Sequence, residues 1–244
     1  FLLFFMIVLL LILQLKLINM KQLLSSINIK VNENVYLKNP ESSELGKKII
    51  AGSIDLINEV GFEAFTFKKL GQAIGSTEAS IYRYFESKHK LLLYLNCWYW
   101  SWTEYKMMFG LANIPSPEER LRKAILLLTQ EASEDNSFMH INELKLNQIV
   151  IAESSKAYLT KEVDQDNKLG AYAVQKQLVQ RVSNIILEIN PNYKYPHMLI
   201  STVIEGAHLQ RYFAEHLPRL TDTSDKDDYI TAFYTELVFK AIEK

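Results

Sequence analysis

The chain has 244 residues, 48% of them hydrophobic, enough to bury a sizeable core in one or two domains. A formal net charge of −1 excludes a nucleic-acid binder that relies on overall charge, so any electrostatic footprint has to be local. A single cysteine, Cys97, excludes an internal disulfide framework and suits a reducing compartment.

Gly and Pro are few, 8 and 6, and the apolar residues recur at helical spacing with no run of strict alternation. That pattern predicts an all-α protein of about nine helices. The run from Phe1 to Ile18 holds two polar residues, Gln14 and Lys16, and has the length and apolarity of a membrane span. Nothing basic precedes it and no small-residue cleavage site follows, so it is a poor signal peptide. It begins with Phe, and Phe, Leu, Ile, Lys and Asn dominate residues 1–40. The expectation is a mis-set start with Met20 as the natural one. The alternative is an anchor over residues 1–18, with Lys16 and Lys21 as its cytoplasmic flank. Residues 21–40 lack periodicity and end in Asn39-Pro40, so 1–42 is read as this run plus a flexible arm.

From Ser43 the pattern changes. Ile49, Ile50, Ser53, Ile54, Ile57 and Val60 make a helical stripe that Gly61 stops. Thr66 stands at the N-cap of a short helix closed by Gly75, and Thr77 caps the next, Glu78 to Phe85. Ser87 caps a long helix to about Phe109. Ser116-Pro117-Glu118-Glu119 is a helix start with a capping residue, proline at the first position and Glu119 able to reach back. That helix runs to about Ser133. Less regular helical segments cover 138–151 and 154–163. A stripe from Ala171 to Ile189 precedes Pro191, His197–Leu217 is stopped by Pro218, and the last helix spans about Ser224 to Ile242.

The informative stretch is Leu70 to Phe85: two short helices joined by a tight turn with glycine at its centre, a helix-turn-helix arrangement. Leu70, Ile74, Ile81 and Phe85 are the apolar positions that lock the pair together. Ala79 and Ser80 are small enough for close approach to DNA, and Tyr82, Arg83 and Tyr84 offer donors to phosphates and base edges in a major groove. Lys88 lies where helix amides already favour a phosphate. Between Lys47 and Lys90, seven basic residues against five acidic ones leave a local charge of +2.

These residues resemble the TetR/AcrR family of bacterial transcription regulators. The shared pattern is Gly75, Thr77, Ile81, Tyr82, Tyr84, Phe85, Ser87, Lys88 and Leu91, with Gly61-Phe62-x-x-Phe65-Thr66 upstream. Departures are Gly71 for the usual Ala, Ser76 for Val, Ala79 for Gly, and the acid Glu78. The resemblance implies that Thr66, Lys68, Tyr82, Tyr84 and Lys88 hold the DNA backbone, with Glu78, Ala79, Ser80 and Arg83 facing bases. Thr77 joins this set as the cap. It also implies three domains: the arm to residue 42, a DNA-binding module over 43–90, and a helical effector and dimerisation domain over 91–244.

Leu91, Tyr94, Leu95, Trp98, Trp102, Tyr105 and Phe109 form one stripe of the long helix, with Tyr99 and Trp100 off it. In the resembling family this helix borders a ligand cavity, so Trp98, Trp102 and Tyr105 are candidate effector contacts. The wide stripes of the last two helices, with Gly206 and Ala207 for close approach and Phe213, Phe233 and Leu237 as anchors, are the candidate homodimer interface. His208 and His216 share a face but are two turns apart, too far for one metal, and no metal site or cofactor is expected. His140 and Glu143 are read as a solvated or half-buried pair, and Cys97 as a buried thiol. The expected function is a cytoplasmic, sequence-specific repressor of transcription. Its expected partners are double-stranded operator DNA, a second copy of itself and an unidentified small-molecule effector. The alternative is a helical interaction protein of the same fold without an effector, tethered through residues 1–18; an enzyme is not expected.

Overall fold

The computed structural model describes residues 29–132, 138, 140–224 and 228–243. Residues 1–18 and Met20, on which the start and anchor readings rest, lie outside that range. Among the described residues there are eleven α-helices and three short 3-10 turns and no strand. The helices are α1 (Glu44–Ala64), α2 (Phe67–Ile74), α3 (Glu78–Tyr82), α4 (Lys88–Leu111), α5 (Pro117–Thr129), α6 (Glu143–Glu153), α7 (Ser155–Tyr158), α8 (Val163–Lys168), α9 (Ala173–Ile189), α10 (Pro196–His216) and α11 (Ile230–Ile242). The count exceeds nine mainly because the segment expected over 154–163 breaks into α7 and α8. Leu159 leaves helical geometry at ψ 58°, and Gly170, with φ 85°, turns the chain after α8.

The local signals act as their chemistry requires. Ser43, Thr66, Thr77, Ser87 and Ser116 each accept a backbone N–H of the first turn they precede. At Ser116 the hydroxyl accepts the Glu119 N–H at 3.3 Å as a capping box requires, and itself donates to the Glu118 carboxylate at 3.0 Å. Gly61 sits inside α1 with φ 74° and ψ 158°, so the helix breaks there and one more turn follows to Ala64.

Helices α1–α3 form a small N-terminal unit around Ile49, Ile50, Phe65, Leu70 and Ile81, all fully buried. Helix α4 continues from this unit into the second one, crossing the expected boundary at residue 90 without a break. Every residue from Leu91 to Trp100 is buried, because α4 is enclosed by α5, α6 and α9. Each large apolar side chain so enclosed contributes about 1.5–3 kcal/mol. Helix α5 packs also on α10 and α11, and α9 on α10. Polar links hold α1 to α6: Lys145 to Asp55 at 2.6 Å, Asn58 to Gln148 at 2.8 Å, and the Phe62 N–H to Glu153 at 3.1 Å.

Residues 29–42 are not a free arm. Ile29, Val35 and Pro40 are buried, and two 3-10 turns, Glu33–Val35 and Pro40–Ser42, are capped by Asn32 and Asn39. The segment lacks periodicity because it lies across the other helices in an irregular path, anchored at single residues. Among the described residues no helix is long and apolar enough to cross a membrane.

Candidate nucleic-acid interface

The α2–α3 pair is set by a left-handed glycine. Gly75 closes α2 at φ 68° and ψ 38°, a conformation that costs a residue with Cβ roughly 1–2 kcal/mol. Its partner in the turn is Gly71, whose carbonyl accepts the Ser76 N–H at 2.8 Å. A Cβ on Gly71 would stand 2.8 Å from the Ser76 carbonyl oxygen, so the turn folds directly onto bare backbone. Phe85 and Ile81 are fully buried, which fixes the rotation of α3 about its own axis. With that face inward, Glu78, Ala79, Tyr82 and Arg83 are exposed and Ser80 is half-buried.

The outward face is connected. Thr77 and Ser80 hydroxyls lie 2.8 Å apart, and the Arg83 guanidinium donates to the Ser80 hydroxyl at 3.3 Å. The Tyr82 ring packs edge-on against Phe67 at 5.0 Å while remaining about half exposed. Thr66 and Lys68, at the start of α2, are exposed as well. Two long donors, one acid and small residues thus share one exposed face of the α2–α3 pair.

Two expected backbone contacts are elsewhere. Tyr84 is buried, its hydroxyl 2.7 Å from Ser43 at the cap of α1, and this bond draws its phenol pKa below the usual value. The Lys88 ammonium donates to the carbonyl oxygens of Phe62, Glu63 and Phe65 at 3.0, 3.2 and 3.4 Å, and lies 4.7 Å from the Phe62 ring centroid. The break at Gly61 leaves these carbonyls at a helix end, where orphan acceptors need a donor. Lys88 therefore ties α4 to the end of α1 and its ammonium is not turned to the outer face.

The effector contacts also need correction. Trp98 and Trp102 are buried and stacked at 6.2 Å, with Phe138 edge-on to Trp98 at 5.1 Å. Lys106 lies over Trp102, and Tyr105 is half-buried against Phe109. The void beside Trp102 holds about 20 Å³. A larger cavity of about 240 Å³ lies against Leu93, Asn96, Cys97 and Trp100, with Ala171 and Val174 opposite. The aromatic stripe identified a packing face, but α4 is buried all round from Leu91 to Trp100, so residues off the stripe meet the cavity. Leu93, Asn96, Cys97 and Trp100 share a second face of α4 at offsets of three, four and seven, which the richer aromatic stripe overshadows in the sequence. Cys97 is buried as expected; its thiol donates to the Ala171 carbonyl at 3.1 Å, and burial pushes its pKa up to about 12.

Of the interface residues, Gly206 and Ala207 face inward. The Tyr234 hydroxyl of α11 occupies the space a Cβ on Gly206 would take, and Ala207 is buried. Gly206 thus serves the α10–α11 approach within one chain. Phe213 is half-buried, whereas Phe233 and Leu237 are exposed, as are Leu209 and Tyr212 on α10. His140 pairs with Glu41 at 2.9 Å, while Glu143 is buried. Among the described residues no cluster of three or more His, Cys, Asp or Glu is arranged to hold a metal ion.

Residues 49–95 match the family model described as bacterial regulatory proteins, tetR family. A comparison with curated protein sequences finds no match. Among solved structures, one of AibR in complex with isovaleryl coenzyme A and operator DNA is 19% identical. It superposes with a TM-score of 0.52 over 78% of this chain and 96% of that one. The TetR family transcriptional regulator PfmR from Thermus thermophilus is 16% identical, with a TM-score of 0.52 over 80% and 99%. A structure described as superantigen PfiT is 16% identical, with a TM-score of 0.53 over 83% and 97%. At these identities the likeness is one of fold.

Proposed function

From the match of residues 49–95 to the tetR family model we propose that the chain is a regulator of that family: a homodimeric, sequence-specific DNA-binding regulator of transcription, a repressor released by a small-molecule ligand. The observation that carries this reading is the rotation of α3. With Ile81 and Phe85 buried in the core, Glu78, Ala79, Tyr82 and Arg83 stand together on one exposed face beside Thr66 and Lys68. In this reading Thr66, Lys68 and Tyr82 meet phosphates, and Glu78, Ala79, Ser80 and Arg83 meet base edges, with Thr77 holding the cap. Operator DNA and isovaleryl coenzyme A in the AibR structure are in keeping with a fold that serves DNA and an effector together.

One recognition helix reads too few bases for specificity, so two modules about one helical turn of DNA apart are needed. The exposed apolar residues Leu209, Tyr212, Phe233 and Leu237 on α10 and α11 supply the dimer face. The three proposed units are the N-terminal segment to residue 42, packed on the rest over 29–42, the DNA-binding module over 43–90 and the effector and dimerisation domain beyond. The effector site is the cavity at Asn96 and Trp100. The protein works in the cytoplasm without a chemical step of its own. The test is protection of DNA upstream of its own gene: a footprint of two half-sites supports the reading, and no protection of any segment overturns it.

A further inference from the structure

Residues 29–42 touch both functional regions. At one end the Asn32 and Asn34 carboxamides both donate to the Leu169 carbonyl, at 3.1 and 2.9 Å, and the Ser101 hydroxyl donates to the Lys30 carbonyl at 3.3 Å. Lys30, Val31 and Asn32 there form one wall of the 240 Å³ cavity. At the other end the Leu37 N–H donates to the Tyr84 carbonyl at 2.8 Å, just past α3, and the Lys38 ammonium sits 5.1 Å from the Tyr84 ring centroid. Beyond that, Glu41 accepts from His140 and, at 3.3 Å, from the Tyr94 hydroxyl of α4. Pro40 lies so close to Gly46 of α1 that a Cβ there would be 2.1 Å from the Pro40 oxygen.

We propose that residues 29–42 are a strap that closes the cavity at one end and holds the recognition helix at the other, so that an occupant of the cavity lowers DNA affinity through the strap. The strapped arrangement is the DNA-competent one, because the Leu37 and Lys38 contacts fix the chain where α3 ends. A molecule that fits only when Val31 and Asn32 give way binds the lifted state better. That differential is the sole means by which a ligand shifts such an equilibrium. The lining also defines the ligand class. Among the described residues Lys30 is the one charged side chain of the cavity walls, and the volume is below the usual range for drug-sized ligands. The occupant is a compact, mainly apolar acyl or aromatic molecule with at most one negative charge, met by Lys30 at the rim.

The output of the strap rests on the DNA-binding reading, but its closure of the cavity does not, and the two are separable by experiment. Cys97, the one cysteine of the chain, lines the cavity and reports on its opening. Benzyl methanethiosulfonate is the probe: the thiolate takes its benzylthio sulfur, methanesulfinate leaves, and the adduct fills the cavity. Labelling of the full chain is followed by intact mass, and operator affinity of the adduct by titration. The double variant Asn32→Ala/Asn34→Ala is expected to label several-fold faster than the parent, and the exposed single variant Asn34→Ala serves if the double one does not fold. The parent adduct is expected to bind operator about tenfold more weakly. Leu37→Pro, which lacks the N–H donated to Tyr84, is expected to show little further loss on labelling, and Cys97→Ser none. Equal labelling rates in the parent and the asparagine variants would overturn the closure. An adduct with parental operator affinity would overturn the coupling. Failure of the unlabelled parent to protect any DNA would sink the regulatory reading and the coupling with it, while the labelling rates would still decide the closure.

Discussion

The Lys88 ammonium lies within 3.4 Å of the Phe62, Glu63 and Phe65 carbonyls. Replacing it with Lys88→Met keeps the aliphatic stem on Phe62 and leaves those acceptors without the charge. Hydrogen bonds to charged groups contribute about 1.5–3 kcal/mol, so thermal unfolding should fall by several degrees. The salt dependence of DNA binding should stay near parental, because this ammonium does not face the groove. An unchanged melting temperature would count against the assignment. His208, beside the rings of Tyr99 and Trp100, is a second case. Burial lowers its pKa to about 4 from 6.5. Between these values the unfolded chain binds more protons than the folded one, so the contribution is complete above about pH 6.5 and is lost as pH falls toward 4. The difference in stability between the parent and His208→Gln should therefore narrow over that window, by at most on the order of 3 kcal/mol. Parallel stability curves from pH 7 to 4 would contradict it. At this scale the sequence was readable where a side chain bonds its own local backbone, as at Ser43, Thr66, Thr77 and Ser87. It was not readable where a long side chain chooses among distant partners, as Lys88 does.

The α2–α3 corner depends on two glycines for different reasons. Gly75 is left-handed, while Gly71 is close-packed, with no room between it and the Ser76 carbonyl. Gly71→Ala forces the turn apart by a few tenths of an ångström at least. Overpacking of this kind typically costs about 1–3 kcal/mol, and displacement of α3 should weaken operator binding together with the chemical-denaturation midpoint. A fully stable, fully binding variant would show that the corner yields freely. The order and approximate ends of the helices were legible because caps, glycine stops and proline starts are local. The division of 154–170 into α7 and α8 was not, since those short helices have no side-chain cap bonds. The course of residues 29–42 was hidden for a related reason: it is held by hydrogen bonds to partners 47 (Leu37 to Tyr84) to 137 (Asn32 to Leu169) residues away in sequence, which no local period records. Likewise the aromatic stripe of α4 specified a packed face, and only the three-dimensional arrangement shows that the cavity lies on the other side.

At the scale of the whole molecule, α10 and α11 carry several exposed apolar side chains, with Phe233 55% and Leu209 51% accessible. Covering such residues with a second copy removes apolar surface from water, at about 25 cal/mol per Å². If the proposed dimer forms through this face, Phe233→Asp should yield a monomer in light scattering at micromolar concentration and weaken operator binding, while the helical content stays parental. A dimer of parental strength in this variant would place the interface elsewhere. Neither the dimer nor the strap matters, however, unless α3 reads DNA. The most direct measurement is the operator affinity of parent and Arg83→Ala on the protected upstream site and on the same site with single base pairs changed. The account predicts a loss of roughly 1–3 kcal/mol for Arg83→Ala on the parental site, with discrimination relaxed at one position in each half-site. Equal affinity and an unchanged pattern of base preference for the two proteins would contradict it.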